Sequence, residues 1–454
     1  MNFKRKLWWA QHRTDVYKYS TFILLFLIVT ISIIYFTYSK FSSSTEMTMY
    51  ETTVEPFIKN DDFIASYIDG EWSNEIPGKN DGYIVDKIVC DNGAVGTWDN
   101  EEWGINIRNA TQKIKCGVYF KKLAKLTEQI TTLASTDTTN FATDDPDNNI
   151  RYIGANPSNY VYFNCNNYSN QTEDTCEKWR IIGLFNNVQK SNNIQDNLIK
   201  ITRNNLIGTF SFDSSEKEVN NGYGTNDWSN SALMKLLNPG YETEEVGGSL
   251  YYNLKAGNCY SGAEKDIKEC DFTASGLKND LTRNAIESVQ WNLGASITGS
   301  TSTIYKNERS TEAYSGHATT WTGKIGLPYS SDYGYATSGG TTKTTRESCL
   351  SSNLTDWGSN FDTCSTNNYI TSYQFTMTPY LSNNYDEFYI YMAGKTRSFL
   401  YYKLYINSES LTNGVTLRNI KGILGVSPTL YLKSDIFVLA GDGSSSNPYQ
   451  LKLN

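Results

Sequence analysis

One long uncharged run dominates the hydrophobic pattern at the start of the chain. It reads YSTFILLFLIVTISIIYFTYS, from Tyr19 to Ser39, and no charged side chain occurs between Lys18 and Lys40. As a helix this run extends about 31 Å, close to the thickness of the hydrocarbon layer of a bilayer. The pattern predicts a single transmembrane helix at 19–39, preceded by a tail at 1–18.

The charges beside this run predict its orientation. Five basic residues precede it and only Lys40 follows closely; the five are Lys4, Arg5, Lys6, Arg13 and Lys18. Because basic flanks stay on the cytoplasmic side, we expect a cytoplasmic N-terminus and an extracellular bulk of the chain. A cleaved signal peptide is the alternative. An uncleaved signal anchor is favoured, since the apolar run is long for a signal peptide and no A-x-A site follows.

A Ser/Thr-rich stalk at 40–60 leads into a predicted small β-module at 61–120. Its β-branched and aromatic runs, YIVDKIVC and KIKCGVYF, are typical of strands, and DNGAVG is typical of a hairpin turn. Trp98 and Trp103, with the acidic residues Asp99, Glu101 and Glu102, form either an exposed binding edge or part of the module's core. The core is favoured, because tryptophans are mostly buried.

A helical connector is predicted at 121–145. Leu123, Leu126, Ile130 and Leu133 recur at helical spacing, so one apolar face docks on a partner. The segment TDDPDNN then places Asp145, Asp147 and Asn149 at the spacing of a calcium loop. The glycine and the closing glutamate of such a loop are missing, so a turn is favoured over a metal site.

Strand patterns alternate with long polar loops in the remaining segment, 146–454. The clearest strands are predicted at 159–165, 178–185, 198–202 and 427–439, and short helices at 227–240 and 275–291. GDGSSS, from Gly441, is predicted to turn between the last two strands. Many strands with a few short helices indicate an α+β fold for this large C-terminal domain.

Composition narrows the function classes. The chain has 39% hydrophobic, 14% aromatic and 19% charged residues, and a formal net charge of −8. Nucleic acid binding is not expected, since it depends on neutralising phosphates with basic residues. Abundant Tyr, Ser, Asn and Gly instead favour a surface that contacts ligands through aromatic area and adaptable hydrogen bonds.

The eight cysteines form four neighbouring pairs in sequence, which makes four local disulfides the simplest prediction. The pairs are Cys90 with Cys116, Cys165 with Cys176, Cys259 with Cys270, and Cys349 with Cys364. Such a set is typical of proteins that fold outside the cytoplasm. No CxxC motif occurs and the chain has only two histidines, so no metal site is predicted.

Seven motifs in a consistent order carry a family resemblance over residues 150–454. They are RYIGANPSNYVYFNC, CEKWRIIGLF, WSNSALMKLLN, WNLGA, KIGLPYSSDYGYATS, VSPTLYLKSDI and GDGSSSNPYQLKL. The segment resembles a family of uncharacterised surface proteins from low-GC Gram-positive gut bacteria, in which the module around Cys90–Phe120 recurs as a companion. Some relatives carry a type IV prepilin leader, whose Gly-Phe cleavage motif this chain lacks. More distantly, the motif order resembles C-type-lectin-like folds, including the sulfatase-modifying-factor branch. That fold hosts binding proteins and enzymes alike.

The stretch IGLPYSSDYGYATSGG, residues 325–340, is the candidate binding loop. Its candidate residues, with one tryptophan just before it, are Trp321, Tyr329, Asp332, Tyr333 and Tyr335. In an extended loop, Tyr333 and Tyr335 share one face. The stretch either lines an open cleft or forms turn-rich core, and core is slightly favoured.

Catalytic chemistry finds little support in the sequence. His317 has no nucleophile signature around any candidate serine, four disulfides leave no free thiol, and no phosphate-binding glycine motif occurs. No catalytic residue and no cofactor are therefore assigned, and an extracellular enzyme is the least favoured class. The sequence predicts a membrane-anchored extracellular adhesion-type protein that recognises a glycan or a protein ligand. The alternative is a structural, pilin-like component of a surface appendage or envelope complex.

Overall fold

A computed structural model describes Thr30 and most of the chain from residue 63 onward. The described ranges are 63–110, 113–213, 225–260, 267–296, 299–313, 317–340, 344–357, 364–370, 374–380, 389–393 and 423–453. Apart from Thr30, the predicted transmembrane helix at 19–39 and the stalk at 40–60 lie outside these ranges. Within them, no helix combines the length and the apolar character that crossing a bilayer requires.

The chain divides into two compact units, Met1–Lys122 and Leu123–Asn454. The division falls inside the predicted connector at 121–145. Lys121 and Lys122 complete the last strand of the small unit, whereas the helix that follows belongs to the large one. The apolar face predicted for this helix is buried at Leu126 and Ile130, which join the core of the large unit.

The small unit is built from short strands. They are β1 Phe63–Ile68, β2 Glu71–Ser73, β3 Tyr83–Cys90, β4 Val95–Asp99, β5 Gly104–Arg108 and β6 Lys115–Lys122. Four form a sheet in the order β2-β1-β6-β3, in which β1 and β6 run parallel, and β4 pairs with β5. Strand alternation turns Val118 and Phe120 inward, where Trp98 meets Phe120 edge-on. Trp98 and Trp103 thus pack in the core of this unit, as favoured above.

Strands also predominate in the large unit. They are β7 Phe141–Ala142, β8 Ile150–Tyr152, β9 Tyr160–Phe163, β10 Glu177–Gln189, β11 Gln195–Arg203, β12 Thr209–Ser211, β13 Ala256–Tyr260, β14 Ile267–Asp271, β15 Val289–Asn292, β16 Thr320–Gly323, β17 Ile325–Gly326, β18 Gln374–Tyr380, β19 Tyr389–Ala393, β20 Ile423–Gly425, β21 Thr429–Tyr431, β22 Phe437–Ala440 and β23 Gln450–Lys452. Together with the short helices described next, these strands confirm the predicted α+β fold class.

The helices of the large unit are short. They are α1 Leu126–Ala134, α2 Ala232–Leu237, α3 Asp280–Ala285, α4 Thr301–Glu308, α5 Ser330–Tyr335 and α6 Arg346–Ser351, with 3₁₀ turns at Trp228–Asn230 and Leu354–Asp356. Most begin at a polar cap; the Ser231 hydroxyl, for example, accepts a hydrogen bond from the Met234 amide. The helix predicted at 275–291 is only the six residues of α3. Ile286 leaves it to bridge with Leu432, so a strand partner replaces the next helical turn.

The core lies around the long hairpin of β10 and β11. The largest sheet has the order β17-β21-β11-β10-β8-β7, with β9 also paired to β10, and a second sheet has the order β12-β20-β18-β19. Residues Trp179 to Phe185 of β10 are all buried, so both faces of this strand are covered. Gly183 permits the close approach of β8, because a Cβ there would lie 2.2 Å from the Ile150 carbonyl oxygen.

All four predicted disulfides are confirmed, and each closes a local loop. They join Cys90 to Cys116, Cys165 to Cys176, Cys259 to Cys270, and Cys349 to Cys364. The predicted hairpin around GDGSSS is also present, since β22 and β23 pair antiparallel on either side of it.

Candidate functional site

The predicted binding loop contains a short buried helix. An extended stretch would place Tyr333 and Tyr335 on one face, but Ser330–Tyr335 forms the helix α5, and all six of its residues are buried. Residues two apart on a helix point in nearly opposite directions. Tyr333 accordingly packs on the Trp357 ring, at 5.8 Å between centroids, and Tyr335 packs edge-on against Tyr305. The two tyrosines therefore do not form one shared face.

The other candidates of this loop are also enclosed. The Tyr329 hydroxyl donates to the carbonyl of Asn292 and accepts from its amide, both at 2.9 Å. Trp321 is half-buried and meets the Trp228 ring edge-on at 6.1 Å. Of the two alternatives left open by the sequence, these positions match turn-rich core.

Asp332 is the centre of a buried charge network. Its Oδ1 accepts from Arg151 Nη1 at 2.7 Å, and its Oδ2 accepts from Lys200 Nζ at 2.5 Å. Arg151 also donates through Nε to Asp145 at 2.7 Å. The side chains of Asp145, Lys200 and Asp332 are fully buried and that of Arg151 is 1% exposed. Two cations thus face two carboxylates without direct solvent.

The charges in this network counteract the cost of burial. Burial alone would raise the pKa of the Asp332 carboxyl, but Lys200 and Arg151 outweigh it and lower the pKa to about 2. Burial lowers the pKa of the Lys200 ammonium to about 8, although Asp332 opposes that shift. For Arg151, the two carboxylates raise the guanidinium pKa against burial.

Glu308 forms a second buried centre at the start of α5. Oε1 of Glu308 accepts from the Ser331 amide at 3.1 Å and from the Thr378 hydroxyl at 2.7 Å, and Oε2 accepts from the Ser331 hydroxyl. Burial raises the pKa of this carboxyl, and Arg309, 3.6 Å away, opposes the rise. The clusters around Asp332 and Glu308 both contact α5, so they fix this helix within the large unit.

The segment with calcium-like spacing is a turn. Oδ1 of Asp145 accepts from the amides of Asp147 and Asn149, at 3.1 and 2.9 Å, while Oδ2 binds Arg151. Its carboxylate is therefore occupied by protein groups, as favoured above. Within the ranges that the structure describes, no three His, Cys, Asp or Glu residues are grouped to hold a metal ion.

His317, the histidine considered for a catalytic triad, is half-buried. Burial lowers the pKa of its imidazole, while the charge of Asp227 acts in the opposite direction. A low pKa favours the neutral imidazole at neutral pH. This property alone assigns no chemistry to His317.

The small unit carries an arrangement that the sequence analysis missed. Tyr67 pairs with Trp72 across the β1–β2 turn and with Tyr119 on β6, and Lys87 on β3 pairs with Tyr119. Directly paired residues lie on the same face of a sheet. We call these four residues, Tyr67, Trp72, Lys87 and Tyr119, the aromatic face. It lies opposite the buried Val118 and Phe120.

The rings of the aromatic face form one compact cluster. Their centroids are 5.1 Å apart for Tyr67 and Trp72, 5.2 Å for Tyr67 and Tyr119, and 5.4 Å for Trp72 and Tyr119. The Lys87 ammonium lies 4.5 Å from the centre of the Tyr119 ring. Trp72 is 41% exposed. An exposed indole among half-buried tyrosines combines apolar ring area with polar edges.

Glycine shapes this face at one position. A Cβ on Gly117 would lie 2.8 Å from the Trp72 ring, so only the absence of a side chain lets the indole lie over β6. The turn before Trp72 has positive φ at Asp69 and Gly70, 51° and 94°. This Asp-Gly hairpin turn is the sequence signal that predicts β2, and with it Trp72 opposite Tyr67.

Comparison with protein-family models, curated proteins and solved structures gives no match for this chain. Function is therefore inferred from the residues of the chain itself.

Proposed function

We propose that this is a membrane-anchored extracellular binding protein that recognises a glycan through the aromatic face of its small unit. The apolar run at 19–39 and its basic flank support the anchor and its orientation. Four disulfides support an oxidising compartment. The observation that carries the binding proposal is the exposed Trp72 within the cluster of three rings.

A glycan suits the size and chemistry of this face better than a protein ligand. A standard protein interface buries about 800 Å² on each partner and needs a broad patch. The aromatic face is only three rings wide, with centroids 5.1 to 5.4 Å apart. Aromatic rings present apolar area to sugar C–H groups, while the tyrosine hydroxyls and Lys87 offer hydrogen bonds at the edge.

The test measures binding of the full-length chain, in detergent, to glycan arrays and to cell-wall material. We expect Trp72→Ala to weaken glycan binding by about tenfold or more, as loss of a central aromatic contact does elsewhere. The matched control is Ile194→Ala, which removes an apolar side chain that is 56% exposed in the large unit. Binding to no glycan, or equal binding by the Trp72→Ala variant, contradicts the proposal.

The second candidate is a structural component of a surface appendage or envelope complex. It is favoured by the burial of the candidate loop, whose α5 is held inside the large unit by two charge clusters. A packed, disulfide-stapled unit of this kind suits a scaffold. This candidate predicts copurification with further copies of the chain or with pilin-like subunits, and loss of assembly when residues 1–39 are removed.

The relation of the large unit to C-type-lectin-like folds remains part of this proposal. Its support is the order of the motifs along the chain, together with the α+β architecture. Such a fold would not by itself choose between binding and enzymatic functions.

A further inference from the structure

Lys200 and Asp332 lie side by side in the interior of the large unit. Nζ of Lys200 is 2.5 Å from Oδ2 of Asp332, and both side chains are fully buried. This distance is below the usual range of about 2.7 to 2.9 Å for a hydrogen bond between an ammonium and a carboxylate. The residues are 132 positions apart in sequence, on β11 and α5. The fold thus holds an amine and a carboxyl group in contact over a long separation.

Aromatic rings surround the amine. The Lys200 Nζ lies 4.3 Å from the centre of the Tyr329 ring, and three further ring centres lie between 5.2 and 5.5 Å from it, those of Phe185, Trp291 and Tyr431. Such a shell excludes water and lowers the cost of the neutral pair relative to the ion pair. Consistent with this, burial lowers the pKa of the Lys200 ammonium to about 8, which makes its neutral, nucleophilic form easier to populate. Lys200 and Arg151 hold the pKa of the Asp332 carboxyl at about 2, so the proton transfer that forms the neutral pair is uphill and a condensation through that pair is slow.

Arg151 binds the other oxygen of the same carboxyl group. Its Nη1 donates to Asp332 Oδ1 at 2.7 Å, and Asp145 holds its Nε at 2.7 Å. A guanidinium in this position stabilises negative charge that develops on Oδ1 when a nucleophile attacks the carboxyl carbon. The three residues therefore supply a nucleophile, an electrophile and an oxyanion donor, fixed by the fold.

We propose that Lys200 and Asp332 condense to an intramolecular amide bond. A proton first moves from the ammonium to Oδ2, which leaves a neutral amine and a carboxylic acid. Nζ then attacks Cγ, and Oδ1 carries the negative charge toward Arg151. A second proton moves from Nζ to Oδ2, the Cγ–Oδ2 bond breaks, and one water molecule leaves. The ammonium and the carboxylate become one amide and one water, so no other reactant is needed.

Condensation removes two buried charges, and the Tyr329 amide, which donates to Oδ2 at 3.0 Å, must then find another acceptor. Burying two charges costs free energy that their attraction repays only in part, whereas a neutral amide avoids most of this cost. Oδ1, as the amide oxygen, still accepts from Arg151, which keeps its second contact with Asp145. The bond ties β11 covalently to α5. It is a cross-link that reducing agents do not open.

The test is the intact mass of the full-length chain, followed by peptide mapping after reduction. We expect a mass lower by one water molecule than that of the chain with its four disulfides, and a tryptic species that joins the Lys200 and Asp332 peptides. Trypsin does not cleave after the acylated lysine. A mass that retains this water overturns the proposal.

Two variants test whether the lost water comes from Lys200 and Asp332. Lys200→Met is expected to retain the water, whereas Lys178→Met, which changes a lysine paired to Glu173 at the surface, is expected to lose it as the original chain does. A water loss that maps to an Asp-Gly succinimide, such as Asp69–Gly70, overturns the proposal. So does a loss that persists in Lys200→Met. Peptide mapping of the unmodified sequence decides the matter even if Lys200→Met does not fold.

Discussion

Asp332 shows how much one buried side chain supports. Its carboxyl group contacts Lys200 and Arg151, and it accepts a hydrogen bond from the Tyr329 amide at 3.0 Å. We expect Asp332→Ala to lower the free energy of unfolding by about 3 to 5 kcal/mol, because the buried Lys200 and Arg151 side chains both lose the carboxyl group that they contact. Denaturant unfolding followed by tryptophan fluorescence measures the change.

The control for this substitution is a surface ion pair. Glu173, 75% exposed, contacts Lys178 at 2.8 Å. Glu173→Ala is expected to cost about 0 to 1 kcal/mol, since exposed pairs are screened by solvent. Equal effects of the two substitutions would mean that the network around Asp332 contributes no more than a surface contact.

The raised pKa of Glu308 predicts how the free energy of unfolding changes with pH. Burial raises its folded pKa above the ordinary value of 4.5, so the native state keeps a proton that the unfolded state has lost. Unfolding then releases a proton, and stability falls as the pH rises from 4.5 through the folded pKa. Glu308→Gln lacks this titration. We expect its unfolding free energy to change less with pH over this window, measured by denaturant titrations; identical pH profiles would refute the assignment.

At the residue scale, sequence patterns predict cysteine pairs but not charge partners. Each cysteine pair is 11 to 26 residues apart, so proximity in sequence is informative. Arg151 and Asp332 are 181 residues apart, on β8 and α5, and only the tertiary fold brings their side chains together. Asp332 was a candidate residue of the binding loop, but no sequence pattern connected it with Arg151.

Strand β10 shows a constraint at the scale of an element. Gly183 pairs with Arg151 of β8, and a Cβ would meet the neighbouring backbone at 2.2 Å. We expect Gly183→Ala to cost about 1 to 3 kcal/mol of unfolding free energy, because backbone must move to admit the methyl group. Gly104→Ala is the control, since its Cβ would meet nothing within 4 Å. Thermal unfolding of both variants measures the difference, and no loss at Gly183 would show that β8 adjusts freely.

Elements with strong local patterns were predicted well, and elements decided by tertiary contacts were not. The run KWRIIGLF lies within β10, and LIKIT lies within β11. SSDYGY contains a glycine and two tyrosines, weak helix formers, yet it is helical because Asp332 and the buried contacts of Ser331 fix it. The aromatic face was missed because it depends on the pairing of β1 with β6, 52 positions along the chain.

At the scale of the whole molecule, two compact units predict two unfolding transitions. The disulfide Cys90–Cys116 closes a 26-residue loop in the small unit, which is worth about 3 kcal/mol in the loop-entropy model. Replacing both cysteines with serine is expected to lower or abolish one calorimetric transition, because so small a core depends on its staple. The other transition is expected to stay in place.

The reciprocal control uses a disulfide of the large unit. Cys165→Ser with Cys176→Ser opens an 11-residue loop there. This change is expected to shift the transition that the first pair of substitutions leaves unchanged. A single transition that moves in both cases would contradict independent unfolding of the units.

The direction of β1 and β6 has a mechanical consequence. Among the described residues of the small unit, β1 is the first strand and β6 is the last, and these strands run parallel through five paired positions, from Phe63–Lys115 to Tyr67–Tyr119. Tension between Phe63 and Lys122 therefore pulls the two strands past each other along their length. All five positions resist together, instead of opening one after another as in an antiparallel hairpin pulled at its ends. A protein held at its N-terminus while the large unit is pulled away loads this sheet in shear, the direction in which hydrogen-bonded strands are strongest.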